Sequence, residues 1–278
     1  MEQIQLFDNT FTLTKITAYS LSLEIDYNHI AYTIVDHIRH RFVALYYKKF
    51  EHPLNDKNFL NTIEQHIKND QYLQKHYKEV NFIYPSNKFL LIPQEFFSKQ
   101  DLKLYFQTGN ELLEGEEIQF NFIPEVNTYL VFAISSEVTN FFVYRFPEIN
   151  FYHQGIPLIR KYAKFSQKTA VPLVGINIRK KSLMDILVMS EGKLLFYNIF
   201  KCLGEDNAIY TILRVLKDFG YNAKVELMGD ISTDDKIYKV LDKYLPNLTF
   251  AKLQDKYTVE FNEPIDIHRF VNLFYIPE

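Results

Sequence analysis

The stretch LSLEIDYNHIAYTIVD, residues 21–36, closes one apolar run on Asp26, turns through Tyr27-Asn28-His29 and resumes as a second apolar run. A carboxylate at such a strand-to-turn corner can hold a hydrated Mg²⁺ and its phosphates, because hard cations take oxygen ligands. The plainer role is a solvated turn carboxylate. Arg179-Lys180-Lys181 is a basic turn that suits an anion and cannot bind Mg²⁺. His37-Ile38-Arg39-His40 has an H-x-x-H spacing with His29 near it. It lacks the helix or cysteine partners of a metal centre, so a polar hairpin end explains it. His66 and His76, around a helix end, read as solvated-face residues. Asp218-Phe219-Gly220 spells a kinase metal-binding triplet, but no catalytic loop precedes it, and Phe219 falls on an apolar helix face. Cys202 has no activating motif beside it and reads as a buried or idle thiol. No G-x-S-x-G, Walker A or dinucleotide glycine pattern occurs, and 8 Gly in 278 residues argue against a phosphate-cradling enzyme.

These residues are positioned by elements whose periods are legible. Alternating apolar residues predict strands over 19–26, 30–36 and 41–48, joined by short turns into an antiparallel meander. A helix follows Pro53, capped by Asn55 or Asp56, with Phe59, Leu60, Ile63, His66 and Ile67 at helical spacing. Strands are expected at 80–84, 88–92, 118–123, 128–134 and 149–153. A polar helical stretch (SKQDLKLYFQ) and helices over 136–145 and 157–168 lie among them. In the second half, strands at 173–178, 183–189 and 194–200 share the hairpin turn Ser190-Glu191-Gly192-Lys193. A helix over 205–219 should stop at Gly220 in the left-handed conformation. Then come a strand at 223–228, a helix over 233–244, a strand near 248–251 and an apolar helix or clip over 264–275.

Composition narrows the setting. With 47% hydrophobic residues a sizeable core is available, and Lys+Arg of 31 against Asp+Glu of 34 gives no electrostatic case for nucleic acid or an anionic membrane. The single cysteine excludes an internal disulfide and fits a reducing, cytoplasmic location. MEQIQLFDNT has no basic region leading into an apolar run, so no signal peptide is expected, and no apolar window approaches the length of a membrane span. The 25 Phe and 20 Tyr, with no Trp, belong either to a β-rich core or to an aromatic groove for a protein partner.

The second half repeats the first. A shift of 153 residues places Leu23 on Ile176, Ile25 on Ile178, Ile30 on Leu183, and Ile34-Val35 on Leu187-Val188. It also carries Tyr46-Tyr47-Lys48 onto Ile199-Phe200-Lys201 and sets Arg179 opposite Asp26.

Two copies of a meander, a helix and a further strand resemble the actin-like ATPase fold, a duplicated ribonuclease-H-like domain. Through SLEIDYNHIAYTIV, VGINIRKKSLMDILVMSEGKLLFYNIF and VELMGDIS the chain is similar, over most of residues 19–275, to a bacterial domain-of-unknown-function family of that fold. It also resembles the actin-like cytoplasmic proteins of pilus and secretion machinery, some of them scaffolds. The resemblance implies an α/β protein with mixed sheets and two ribonuclease-H-like subdomains, 1–160 and 161–278, with 264–278 packing back on the first. In nucleotide-binding members an Asp-x-Gly corner in each half meets the phosphates and Mg²⁺, and a paired-glycine turn meets the adenosine. The matching positions here are Asp26 and Asn28, Arg179, and Gly229-Asp230, around a cleft between the lobes. Asn28 stands in place of glycine, Arg179 in place of the second acid, and Asp230 in place of the second glycine of the turn. The expectation is therefore a non-catalytic scaffold or interaction module with a protein partner, no metal and no cofactor. The alternatives are an ATPase or sugar-kinase-like enzyme with divergent loops, and an anion binder using Arg179, Lys180 and Lys181.

Overall fold

Alternation along residues 20–49 places every second side chain on a helix-covered face, and that is the organising feature of the computed structural model, which describes residues 2–169, 171–180, 183–253 and 257–275. The chain divides into one unit of Met1–Phe122, Tyr129–Gln154 and Gln254–Pro264, and another of Ile123–Thr128, Gly155–Leu253 and Ile265–Glu278.

In the first unit the meander is β2 (Ser20–Ile25), β3 (His29–Asp36) and β4 (Arg41–Lys49), preceded by β1 (Gln3–Phe7). With β5 (Glu79–Tyr84) and β9 (Ile149–His153), the sheet runs β1-β4-β3-β2-β5-β9, and β15 (Thr258–Val259) pairs with β4. The edge strand β1 was not anticipated from the sequence; its QIQLF alternation is short and buries only Leu6. Helix α1 (Asp56–Asn69) starts on a capping box: Asn55 accepts from the Lys57 and Asn58 amides, and the Asn58 side chain accepts from the Asn55 amide. Asn55 rather than Asp56 is therefore the cap. Phe59, Ile63 and Ile67 of α1 join Leu21, Leu23, Ile25 and Ile30 in one core, together with Val138 and Phe142 of α3 (Ser136–Arg145). Between β5 and α3 the chain inserts β6 (Phe89–Pro93), α2 (Leu102–Gln107), β7 (Glu116–Ile123) and β8 (Thr128–Ser135), a separate sheet ordered β6-β8-β7. Much of the aromatic surplus goes inside, as in the Phe82–Phe142 and Tyr32–Tyr46 stacks. Tyr144, Tyr210 and Tyr244 stay exposed.

The second unit opens with α4 (Gly155–Ser166) and continues with β10 (Leu173–Lys180), β11 (Leu183–Ser190) and β12 (Lys193–Lys201). After α5 (Glu205–Phe219), β13 (Lys224–Gly229), α6 (Lys236–Tyr244) and β14 (Leu248–Phe250) complete the sheet β12-β11-β10-β13-β14. Its order and strand directions repeat β4-β3-β2-β5-β9 of the first unit, two antiparallel pairs followed by two parallel ones. Both copies also carry a β-bulge at matching places, Ile34/Val35 and Val188/Met189. That bulge corrects the register of the repeat. The constant shift of 153 holds for β2 on β10, but β3 maps onto β11 at 154 and β4 onto β12 at 152. The cause is loop length: residues 37–40 join β3 to β4, whereas Glu191-Gly192 alone join β11 to β12. Both of those residues have positive φ, 50° and 78°, the tight hairpin geometry that follows the right-handed strand twist.

Helices α5 and α6 bury Ile209, Ile212, Leu216, Ile237 and Leu241 against Val174, Ile176, Ile178, Met184, Ile186 and Val188. Gly220 ends α5 with φ 99° and ψ 132°, outside the left-handed helical well expected for it, and its N–H still bonds to the Leu216 carbonyl at 2.7 Å. Residues 267–274 form a 3-10 turn and the short α7 (Val271–Phe274), which packs on α4. No helix among the described residues is long and apolar enough to cross a membrane.

Candidate functional site

Ligands of open α/β sheets gather at the carboxyl ends of the parallel strands. In the second unit those ends belong to β10 and β13, which run parallel with Ile178 level with Gly229. The turn after β13 folds tightly across β10: the Asp230 amide donates to the Ile178 carbonyl at 2.7 Å, and the Ile231 amide to the Gly229 carbonyl at 2.9 Å. Gly229 adopts φ 84°, and a Cβ there would lie 2.2 Å from the Ile178 carbonyl oxygen and 2.6 Å from Asn177 Oδ1. The glycine is thus demanded by strand crossing, whatever else the turn does. Asp230 beside it is exposed.

Arg179 sits in the irregularity between Ile178 and Lys180 where the β10–β11 register shifts. Its side chain is nearly buried, with Nε 3.0 Å from Asp185 Oδ2 of β11, a carboxylate with 0% exposure. Asp185 also accepts from the Tyr197 hydroxyl at 3.1 Å and from Asn177 Nδ2 at 3.4 Å. Burial first, and then the Asp185 charge, push the Tyr197 phenol well above its ordinary range, so it remains a donor. This polar layer lies on the sheet face opposite α5 and α6, where α4 packs. Further along the same layer, buried Lys161 of α4 pairs with Glu226 of β13, which accepts from Tyr162 at 2.9 Å as well. Burial pulls the Lys161 ammonium down, against the opposing pull of Glu226. Of the basic turn, Lys181 lies outside the described residues, and for Lys180 only the backbone is described.

Asp26 and Asn28 belong to the first unit. Asp26 Oδ1 accepts from the Asn28 amide at 2.6 Å and the His29 amide at 2.9 Å, and lies 3.1 Å from His29 Nδ1. Asn28 Nδ2 reaches Oδ2 at 3.3 Å. Burial favours the neutral acid, but the His29 charge and the His29 and Asn28 hydrogen bonds outweigh it and hold the carboxyl far below its usual range. Asn28 needs no left-handed backbone here: among the described residues, the positive-φ residues other than glycine are His40, Asn127 and Glu191. The Asp26 side chain itself closes the turn, which a glycine would otherwise ease. The turn carbonyls are engaged too, Tyr27 by the Leu54 amide at 2.6 Å and Asn28 by the Phe50 amide at 2.8 Å.

The structure therefore groups Arg179, Gly229 and Asp230 in one unit and Asp26 with Asn28 in the other. Sequence reading missed Asp185, although an acid inside the apolar run LMDILVM was a usable signal, and it missed Lys161–Glu226, for which only the helical phase of Lys161 could have served. His37 is engaged at both ring nitrogens, with the Tyr257 hydroxyl at 2.9 Å and Ser20 Oγ at 2.8 Å.

A family model described as "Protein of unknown function (DUF3822)" matches residues 8–248. Among solved structures, a Bacteroides thetaiotaomicron protein of actin-like ATPase fold and unknown function superposes with a TM-score of 0.79 at 24% identity, covering 87% of this chain and 94% of that one. A structure of the PilM–PilN type IV pilus biogenesis complex aligns with a TM-score of 0.61 at 13% identity, over 87% of this chain and 90% of that one. No curated protein matches the chain. The mixed α/β architecture with its repeated sheets is the actin-like ATPase fold.

Proposed function

The chain belongs to the family of proteins of unknown function DUF3822, and we propose that it works as a non-catalytic cytoplasmic scaffold or interaction module whose nucleotide corners have been converted to structural use. The observation that carries this reading is Arg179 bound to Asp185: where the repeat places the second Mg²⁺-holding acid, a base stands instead, and its charge is taken up inside the sheet. Asp26 supports it, since its carboxylate is already engaged by the turn that carries it. Gly229 supports it too, being required by the Ile178 carbonyl rather than by a ligand. Together these residues do not fit Mg·ATP, because phosphoryl transfer depends on metal-held charge and positioned phosphates. The PilM–PilN complex offers a precedent for this fold in a protein assembly.

The test is thermal denaturation of the full chain with and without Mg·ATP. A ligand present at 100 times its Kd adds about 2.7 kcal/mol, a rise of several degrees for a protein of this size. No rise is expected. A rise of several degrees that disappears in Asp26→Ala would establish the ATP-binding alternative instead.

A further inference from the structure

Away from both corners, the first unit carries an open cavity of about 290 Å³ at the edge of its sheet. The antiparallel register sets Gln5 opposite Tyr46 and Gln3 opposite Lys48, so all four side chains share one face of β1 and β4. The last turn of α1 supplies His66 and Asn69 as a wall, and the segment through Asp70 and Tyr72 closes the far side.

The polar groups here have unused hydrogen-bonding capacity. The Tyr46 ring is largely buried and stacks on Tyr32, while its hydroxyl, which has no hydrogen-bond partner among the described residues, is accessible from the cavity. The same holds for the Lys48 ammonium and the His66 ring nitrogens. A ligand group that takes the place of solvent at such a hydroxyl contributes about 0.5–1.5 kcal/mol, roughly 3- to 10-fold in affinity.

Charge decides the class of ligand. Asp70 is held by the Tyr72 amide at 2.8 Å, the Leu73 amide at 3.3 Å and the Tyr32 hydroxyl at 2.8 Å. That carboxylate and the carbonyl end of α1 offset Lys48, so the cavity favours neither an anion nor a cation. Burial first, and then Lys48, lower the His66 pKa, which leaves a neutral ring with one donor and one acceptor. The amides of Gln3, Gln5 and Asn69 likewise offer both. Adjacent donors and acceptors around tyrosine rings match vicinal hydroxyls with an apolar C–H face. We propose that this cavity binds an uncharged, polyhydroxylated molecule about the size of one sugar ring.

The experiment is saturation-transfer NMR on the full chain with glucose, galactose, mannose, N-acetylglucosamine and myo-inositol, and with inorganic phosphate and glycine as charged competitors. Transfer to at least one neutral probe is expected. Tyr46→Phe, which keeps the ring stacked on Tyr32, and Gln5→Ala on the exposed strand should each raise its Kd by roughly 3- to 10-fold, as loss of one hydrogen bond does. Melting temperatures of both variants verify folding. Absence of transfer to every neutral probe overturns the proposal. So does binding that neither variant weakens, or binding of phosphate or glycine alone.

Discussion

Replacing Arg179 by methionine tests most directly whether that residue serves the fold or a ligand. The substitution keeps the length and apolar stem of the side chain and removes its charge, leaving Asp185 at 0% exposure without its counter-ion. Stripping one partner from a buried ion pair costs about 3–5 kcal/mol. Tyr197 and Asn177 still donate to Asp185, which places the expected loss near the lower figure, about 3 kcal/mol. Urea denaturation at constant m-value measures it. The companion Arg179→Met/Asp185→Leu removes both charges and should restore at least half of the loss, with Tyr197 and Asn177 each left one acceptor short. The pH dependence of the single variant has a definite sign. A buried, unpaired carboxyl has its folded pKa raised above the unfolded value of about 3.9, so the folded state takes up a proton. The deficit is then smallest below about pH 4 and grows as pH rises toward neutrality. If Arg179→Met lies within about 0.5 kcal/mol of wild type, or if the double variant is simply additive, Asp185 is not what holds Arg179. The base would then be available to a ligand.

Three further outcomes follow from the same geometry. Gly229→Ala must fit a Cβ 2.2 Å from the Ile178 carbonyl at φ 84°, so a loss of about 2–4 kcal/mol is expected by chemical denaturation, and a loss below about 1 kcal/mol would refute the close approach. Asp26→Asn keeps an acceptor for the turn amides but loses the His29 pairing, and should cost about 1–2 kcal/mol at pH 7. Because the Asp26 pKa is depressed in the folded state, that contribution is present above its unfolded value and fades as pH falls below about 4; a gap that persists undiminished at pH 3 contradicts the assignment. Glu191→Asn relieves a non-glycine residue at φ 50° in a tight hairpin and should raise stability by about 0.5–1 kcal/mol, visible as a higher melting temperature.

What the sequence revealed depended on how local each cause was. Strands β2 to β4 and β10 to β12 were readable because alternation reports burial of one face directly, and α1 and α5 because their apolar residues recur at helical spacing. β1 stayed hidden since an edge strand buries little and so leaves a weak pattern. The repeat was readable, but its register slipped by one residue in two of the three strands, because a single offset cannot absorb turns of different length. The site residues divided along the same line. Their identities were plain in the chain, whereas the group each one answers to was not. Arg179 and Asp185 meet across two strands, and the Ile178 carbonyl that dictates Gly229 lies on a strand some fifty residues earlier.

That division bears on how such corners should be read. An acid at a hairpin and a glycine at the end of a parallel strand are features that nucleotide chemistry requires, but the fold itself creates the same requirements. A tight hairpin needs its amides satisfied, and Asp26 satisfies two of them. A strand whose following turn crosses its neighbour needs a residue without a Cβ, and Gly229 is that residue. Neither residue therefore distinguishes an active corner from a retained architectural one. Arg179 does distinguish them, because nothing in the hairpin geometry calls for a base there, and its pairing requires an acid on the adjacent strand. Asp185 supplies that acid within the apolar centre of β11, where an unpaired carboxylate would be strongly destabilising. The two residues account for one another, and no phosphate is needed to explain either.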